Sequence, residues 1–155
     1  MSLHPINRRE LTQRMAVLVS MLSALGLPEK AFAAYNKLAF EAKTVVDAAK
    51  AHNSGPLVES KDIVLTAPDY AENGAAVSLT VVTSMPSVRK ILILVEKNPA
   101  ALVAMFNVSD LIEANFSFRT KMSQTSDVYA VALMADGKAL FAKKEVKVTI
   151  GGCGA

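Results

Sequence analysis

Between residues 62 and 150, apolar and polar positions alternate in short runs separated by turn residues. "AAVSLTVVT" sets Val77, Leu79 and Val81 against Ser78 and Thr80, and "NFSFRTKM" sets Phe116, Phe118 and Met122 against Ser117, Arg119 and Lys121. A period of two marks a strand with one face in a core and the other toward solvent. "DIVLT" places Ile63 and Leu65 on one side in the same way. "VRKILILVE" is apolar on both faces from Ile91 to Val95, as a central strand would be, and "ALVAMFNV" is similar. "DVYAVALM" and "KALFAKKEVKVTI" complete the set. The last run points Val146, Val148 and Ile150 inward and Lys147 and Thr149 outward, and its length predicts a bulge near residues 143–145.

Turn residues punctuate these runs: "ENG" at 72–74, "KNP" at 97–99, and Asp136-Gly137. Asp-Gly between two alternating runs is the strongest short hairpin signal, because both residues tolerate positive φ. Seven short strands spaced by about 10 residues predict an all-β fold, an immunoglobulin-like antiparallel sandwich over residues 62–150. Ahead of it the period changes. In residues 34–53, Leu38, Ala42, Val45, Val46 and Ala49 form one thin helical stripe, ended by Gly55 and Pro56. This amphipathic helix could dock on its own domain or on a partner. The linker "HNSGPLVESK" joins it to the sandwich.

The first 33 residues read as an export signal. Arg8 and Arg9 precede the apolar run 15–27, and "AFA" supplies small residues at Ala31 and Ala33 for cleavage. The arginine pair followed by Glu10 and Leu11 resembles a twin-arginine signal, although Thr12 and Gln13 depart from that pattern. The competing reading is an amphipathic helix that stays attached; the run is too short for a membrane span of about 20 residues. Cleavage after Ala33 removes four basic and two acidic residues from totals of 17 and 14, leaving 13 and 12. A nearly neutral domain without a basic run is poorly equipped to bind nucleic acid. At 155 residues and 52% apolar composition, the chain suits one domain that needs no staples. One cysteine excludes an internal disulfide or a multi-cysteine metal site. His4 and His52 have no ligand-type neighbours, so no metal or cofactor is expected.

That cysteine, Cys153, stands in "GGCGA", three residues past Ile150. Three residues reach roughly 10 Å at full extension. Gly151, Gly152 and Gly154 have wide backbone freedom and no side chains to anchor, so residues 151–155 are expected to form a slim, mobile arm. Burial as a small hydrophobe does not suit a residue beyond the last strand. A prenylation signal needs three residues after the cysteine, and here there are two. A functional thiol, an intermolecular disulfide and no role all remain open. A free thiol near pKa 8.5 is only a few per cent ionised at neutral pH, and no sequence neighbour would activate it. Such a tail looks built to be acted upon, which points to a carrier and not an enzyme.

"PDYAENGAAVSL", "VEKNPAALVAMFNV" and "SDVYAVALMADGKALFAKKEVKVTIGGCGA" closely resemble the SoxY family of thiosulfate-oxidation subunits. The resemblance runs from about Asp62 to the end and is most specific in "EVKVTIGGCG"; Ala155 replaces a final glycine. It implies a periplasmic heterodimer with SoxZ, a second small β-sandwich subunit. It also implies that Cys153 carries the sulfur substrate covalently. The haem enzyme SoxAX would couple thiosulfate to it, the hydrolase SoxB would release sulfate, and SoxCD, where present, would oxidise the remaining sulfane sulfur. Metals and haems would belong to those partners, and this chain would not be catalytic. The alternative is an exported immunoglobulin-like interaction module linked to another chain through Cys153.

Overall fold

The computed structural model describes residues 37–109 and 111–150. All seven expected strands form, and two short ones join them. In chain order the described elements are α1 (Lys37–Glu41), α2 (Val45–Lys50), β1 (Leu57–Glu59), β2 (Ile63–Thr66), β3 (Tyr70–Asn73), β4 (Val77–Thr83), β5 (Val88–Val95), β6 (Leu102–Asn107), β7 (Ala114–Thr120), β8 (Ser126–Met134) and β9 (Ala139–Ile150). One sheet runs β1-β9-β8-β5-β6, with β3 added to the far end of β9; the other runs β2-β4-β7. The two face each other as the expected immunoglobulin-like sandwich.

Alternation decides what each face meets. Val77, Leu79 and Val81 of β4 are buried against Ile91, Ile93 and Val95 of β5 and Val128 and Ala130 of β8. Phe106 stacks on Phe116 at 4.3 Å between ring centroids, closing the β6–β7 side. The doubly apolar run in β5 is explained by a third layer. Leu92 and Leu94 point the other way, to Ala39, Ala42, Val45 and Ala48 of the helical segment and to Val131 and Leu133 of β8. Each such buried side chain contributes roughly 1.5–3 kcal/mol of hydrophobic stabilisation.

The single helix expected over 34–53 is two. Thr44 is extended (φ −120°, ψ 154°), and its hydroxyl accepts from the Asp47 N–H at 3.0 Å, capping α2 and ending α1. The break turns the chain so that the Ala42 carbonyl accepts from the Ala101 N–H and the Lys43 ammonium donates to the Pro99 carbonyl. The predicted stripe therefore does not continue across it. Ala42, Val45 and Ala49 are buried as expected, joined by Ala39 and Ala48, whereas Leu38 is 74% exposed and Val46 faces outward.

A further expectation fails. No bulge interrupts β9 at 143–145: it pairs with β8 without a shift from Ala139 to Val146. Its length instead serves three partners, with β1 and β3 lying parallel to its ends, so the sheet is not wholly antiparallel. The irregular registers fall in β5, between Ile93 and Leu94 and between Val88 and Lys90. At the β8–β9 hairpin only Gly137 has positive φ (85°); Asp136 does not, and its carboxylate accepts from the Lys138 N–H.

Candidate functional site

The strand that leads to Cys153 leaves the sandwich in an unusual way. β8 pairs with β9 only as far as Ser126 and Val146. The next four residues overhang, and β3 supports them in parallel, matching Tyr70 to Lys147, Ala71 to Val148 and Asn73 to Ile150. The Lys147 N–H donates to the Asp69 carbonyl at 3.0 Å, and the Gly74 N–H donates to the Ile150 carbonyl at 2.7 Å. From the β8 side the Thr125 hydroxyl accepts from the Val148 N–H at 2.9 Å.

Charge reinforces this corner. The Lys144 ammonium donates to the Ala67 carbonyl at 2.6 Å and pairs with the Asp69 carboxylate at 2.9 Å. That hydrogen bond, with the attraction of the Lys144 charge, holds the Asp69 carboxyl below its ordinary range. Lys147 lies over the Tyr70 ring at 5.2 Å from the centroid. Met122 completes the platform, donating its N–H to the Gly74 carbonyl. Ile150, expected inward, is 64% exposed.

Cys153, Gly151, Gly152 and Gly154 lie outside the described residues, as does the stretch 1–33 expected to be an export signal. The platform brings Tyr70, Lys144, Lys147 and Asp69 to the root of the tail, and sequence reasoning singled out none of these as site residues. The one available signal was the polar "PDYAENG" segment, which has no period and reads as a turn. A cavity of about 570 Å³ lies at the other pole, between Met85 and Pro86 on one side and Val108 and Ile112 on the other. Eight residue steps of β8 separate the poles, roughly 27 Å. Among the described residues no cluster of three or more His, Cys, Asp or Glu could hold a metal ion, and no helix is long and apolar enough to cross a membrane.

A family model described as "Sulfur oxidation protein SoxY" matches residues 48–153, more than half of the chain and ending on Cys153 itself. This chain belongs to the SoxY family. Among solved structures it is similar to the sulfur carrier protein SoxY from Chlorobium limicola f thiosulfatophilum, with 39% identity and a TM-score of 0.60. That match covers 68% of this chain and 96% of the Chlorobium SoxY. Similarity to a superoxide reductase (neelaredoxin) from Ignicoccus hospitalis is at 18% identity and TM-score 0.50, over 56% of this chain and 79% of that one, and concerns the fold alone. No curated protein matches. Membership of the SoxY family places the chain among sulfur-oxidation proteins, and the SoxY match takes in the platform, the tail glycines at 151 and 152 and the thiol as one unit.

Proposed function

We propose that this chain is a non-catalytic carrier of sulfur intermediates, bound covalently to Cys153 and presented to partner enzymes in the periplasm. The observation that carries this reading is the SoxY match running through to the chain's single thiol. It is supported by the thiol's position beyond a clamped strand end, with no base at hand in the sequence. The residues 151–155 act as a slim arm that enters the clefts of other proteins, which supply the catalysis.

The chemistry balances as follows. The Cys153 thiol and thiosulfate lose two electrons and one proton to an oxidant, forming an S–S bond and leaving a cysteine S-thiosulfonate. Water then attacks the terminal sulfonate, the S–S bond to it breaks, and sulfate leaves while the cysteine persulfide remains. Sulfur suits both steps because a thiolate or persulfide is soft and readily forms and exchanges S–S bonds. Covalent attachment keeps intermediates from diffusing away. The roles fall to SoxZ as a paired subunit, SoxAX for the coupling, SoxB for the hydrolysis and, where present, SoxCD for oxidising the remaining sulfane sulfur. The export signal at 1–33 delivers the chain to that compartment.

Intact-mass measurement of protein isolated from thiosulfate-fed cells tests this. The expected adduct is about 112 Da heavier than the thiol form, the mass of one S2O3 unit. Cys153→Ser is expected to abolish thiosulfate-dependent electron transfer in the reconstituted system while leaving the fold intact. Disulfide-linked dimer as the sole modified species would instead favour the interaction module.

A further inference from the structure

Asparagine followed by glycine occurs once in the chain, at Asn73-Gly74. The pair is chemically unstable. The Gly74 backbone nitrogen can lose its proton and attack the Asn73 side-chain carbonyl carbon. A five-membered succinimide closes, and the side-chain nitrogen leaves as ammonia. Water then opens the ring at either carbonyl, giving aspartate or isoaspartate. The amide is exchanged for a carboxylate by water alone, with no change of oxidation state. Glycine favours the closure because it puts no side chain in the way and has the freest backbone. The other described asparagines are poorer substrates. Asn53, Asn107 and Asn115 precede serine, valine and phenylalanine, and Asn98 precedes Pro99, which has no N–H to lose.

In the folded chain both reacting groups are engaged. Asn73 is the last residue of β3 and pairs with Ile150 of β9. The Gly74 N–H, whose nitrogen must attack, donates to the Ile150 carbonyl at 2.7 Å, and the Gly74 carbonyl accepts from the Met122 N–H at 2.8 Å. The Asn73 Oδ1 accepts from the Ala75 N–H at 2.8 Å. Gly74 is buried, whereas Asn73 beside it is exposed to water. We propose that Asn73-Gly74 is a site of spontaneous deamidation that the fold holds shut, and that reaction there records opening of the β3–β9 pairing at Gly74. The opening is that of β3 and not of β9. Thr125 accepts from the Val148 N–H on the other side of β9, and Val148 packs on the sandwich core. In β3 only Ala71 is buried, and the pairing is parallel, the weaker geometry per residue. Segments of that kind open at lower free energy than the core. The reaction is also one-way. Isoaspartate adds a methylene to the main chain at residue 73, which moves the Gly74 N–H off its acceptor. This inference goes beyond the carrier reading and does not depend on it.

Tryptic cleavage after Lys61 and Arg89 isolates residues 62–89, in which Asn73 carries the only side-chain amide. A mass gain of about 1 Da in that peptide therefore reports Asn73 alone. The test holds the purified chain in mildly alkaline buffer, folded and in concentrated urea, and follows the gain with time. Hydrogen exchange at the Gly74 amide is measured in the same buffer. Deamidation is expected to be slower in the folded chain by about tenfold or more, with the Gly74 amide protected by a matching factor, because both reactions wait for the same N–H to leave Ile150. Urea below the unfolding transition should speed the two together. Equal deamidation rates in buffer and in urea would overturn the gate. Slow deamidation beside a freely exchanging Gly74 amide would also overturn it, since the restraint would then lie elsewhere. No mass gain even in urea would overturn the site itself.

Discussion

Cys153 has no ionisable side chain within five residues of it in the sequence to stabilise a thiolate. A cysteine thiol with nothing to activate it has a pKa of about 8.5 in model peptides. Alkylation of the isolated protein by iodoacetamide is therefore expected to rise with pH along a curve with its midpoint there. A midpoint near neutrality would mean that the chain activates its own nucleophile, and the carrier reading would lose its main chemical support. The residue scale holds a second titration. His52 has its pKa lowered, mainly by burial and then by the Lys90 charge, and its Nε2 is buried without a hydrogen-bond partner. The unfolded chain binds that proton more readily. Stability tied to His52 is thus fully present above about pH 6.5 and is lost as pH falls toward the depressed folded value. The urea midpoint should drop between pH 8 and pH 5, and His52→Gln should flatten that part of the drop. The tail thiol could be singled out from the sequence because its isolation among glycines is itself sequential. Lys144 and Asp69 could not, since 75 residues of chain separate partners that meet only through the β3–β9 pairing.

Among the elements, those with a clean period of two were legible down to the facing of single side chains. β4 and β7 show this best, pairing Leu79 with Phe118 and Val81 with Phe116 as the alternation requires. β1 and β3 were not legible because "LVE" and "YAEN" show no apolar alternation, whereas the equally short β2 has Ile63 and Leu65 two apart. Both also pair in parallel with a strand about 80 residues away in sequence, a distance no local pattern encodes. The helical stripe misled for a related reason: the Thr44 cap resets the phase, so Leu38 belongs to no continuous face with Ala42. Removing that cap with Thr44→Ala should cost about 1 kcal/mol in chemical denaturation. The β8–β9 hairpin was recognised by its Asp-Gly signal, but the φ of 85° falls on Gly137 alone. No atom lies within 4 Å of where a Cβ would stand there, so Gly137→Ala should cost only the backbone strain, about 1 kcal/mol. Gly137→Asn should cost less, because asparagine tolerates that conformation.

For the whole molecule, the placement of chemistry relative to stability matters more than the list of strands. β5 lies at the centre of three layers. Ile93 is buried in the sandwich core and its neighbour Leu94 in the helical layer, so one strand ties both layers into a single cooperative body. The sequence disclosed this only as a doubly apolar run, without saying that the second face would be covered by the chain's own helices. In sequence the thiol stands three residues beyond Ile150, the exposed last residue of β9. Body and chemistry should therefore respond to different substitutions. Ile93→Ala and Leu94→Ala are each expected to cost about 2–5 kcal/mol and to lower one shared thermal transition, because neither layer holds without β5. Below that transition the same variants should alkylate at Cys153 at the parental rate, because Ile93 and Leu94 are buried in the body and the carrier reading leaves the thiol outside it. If alkylation instead quickened in step with falling stability, the thiol would have to be packed against the body and released by its loosening. A carrier that must offer its sulfur to several enzymes in turn cannot work that way.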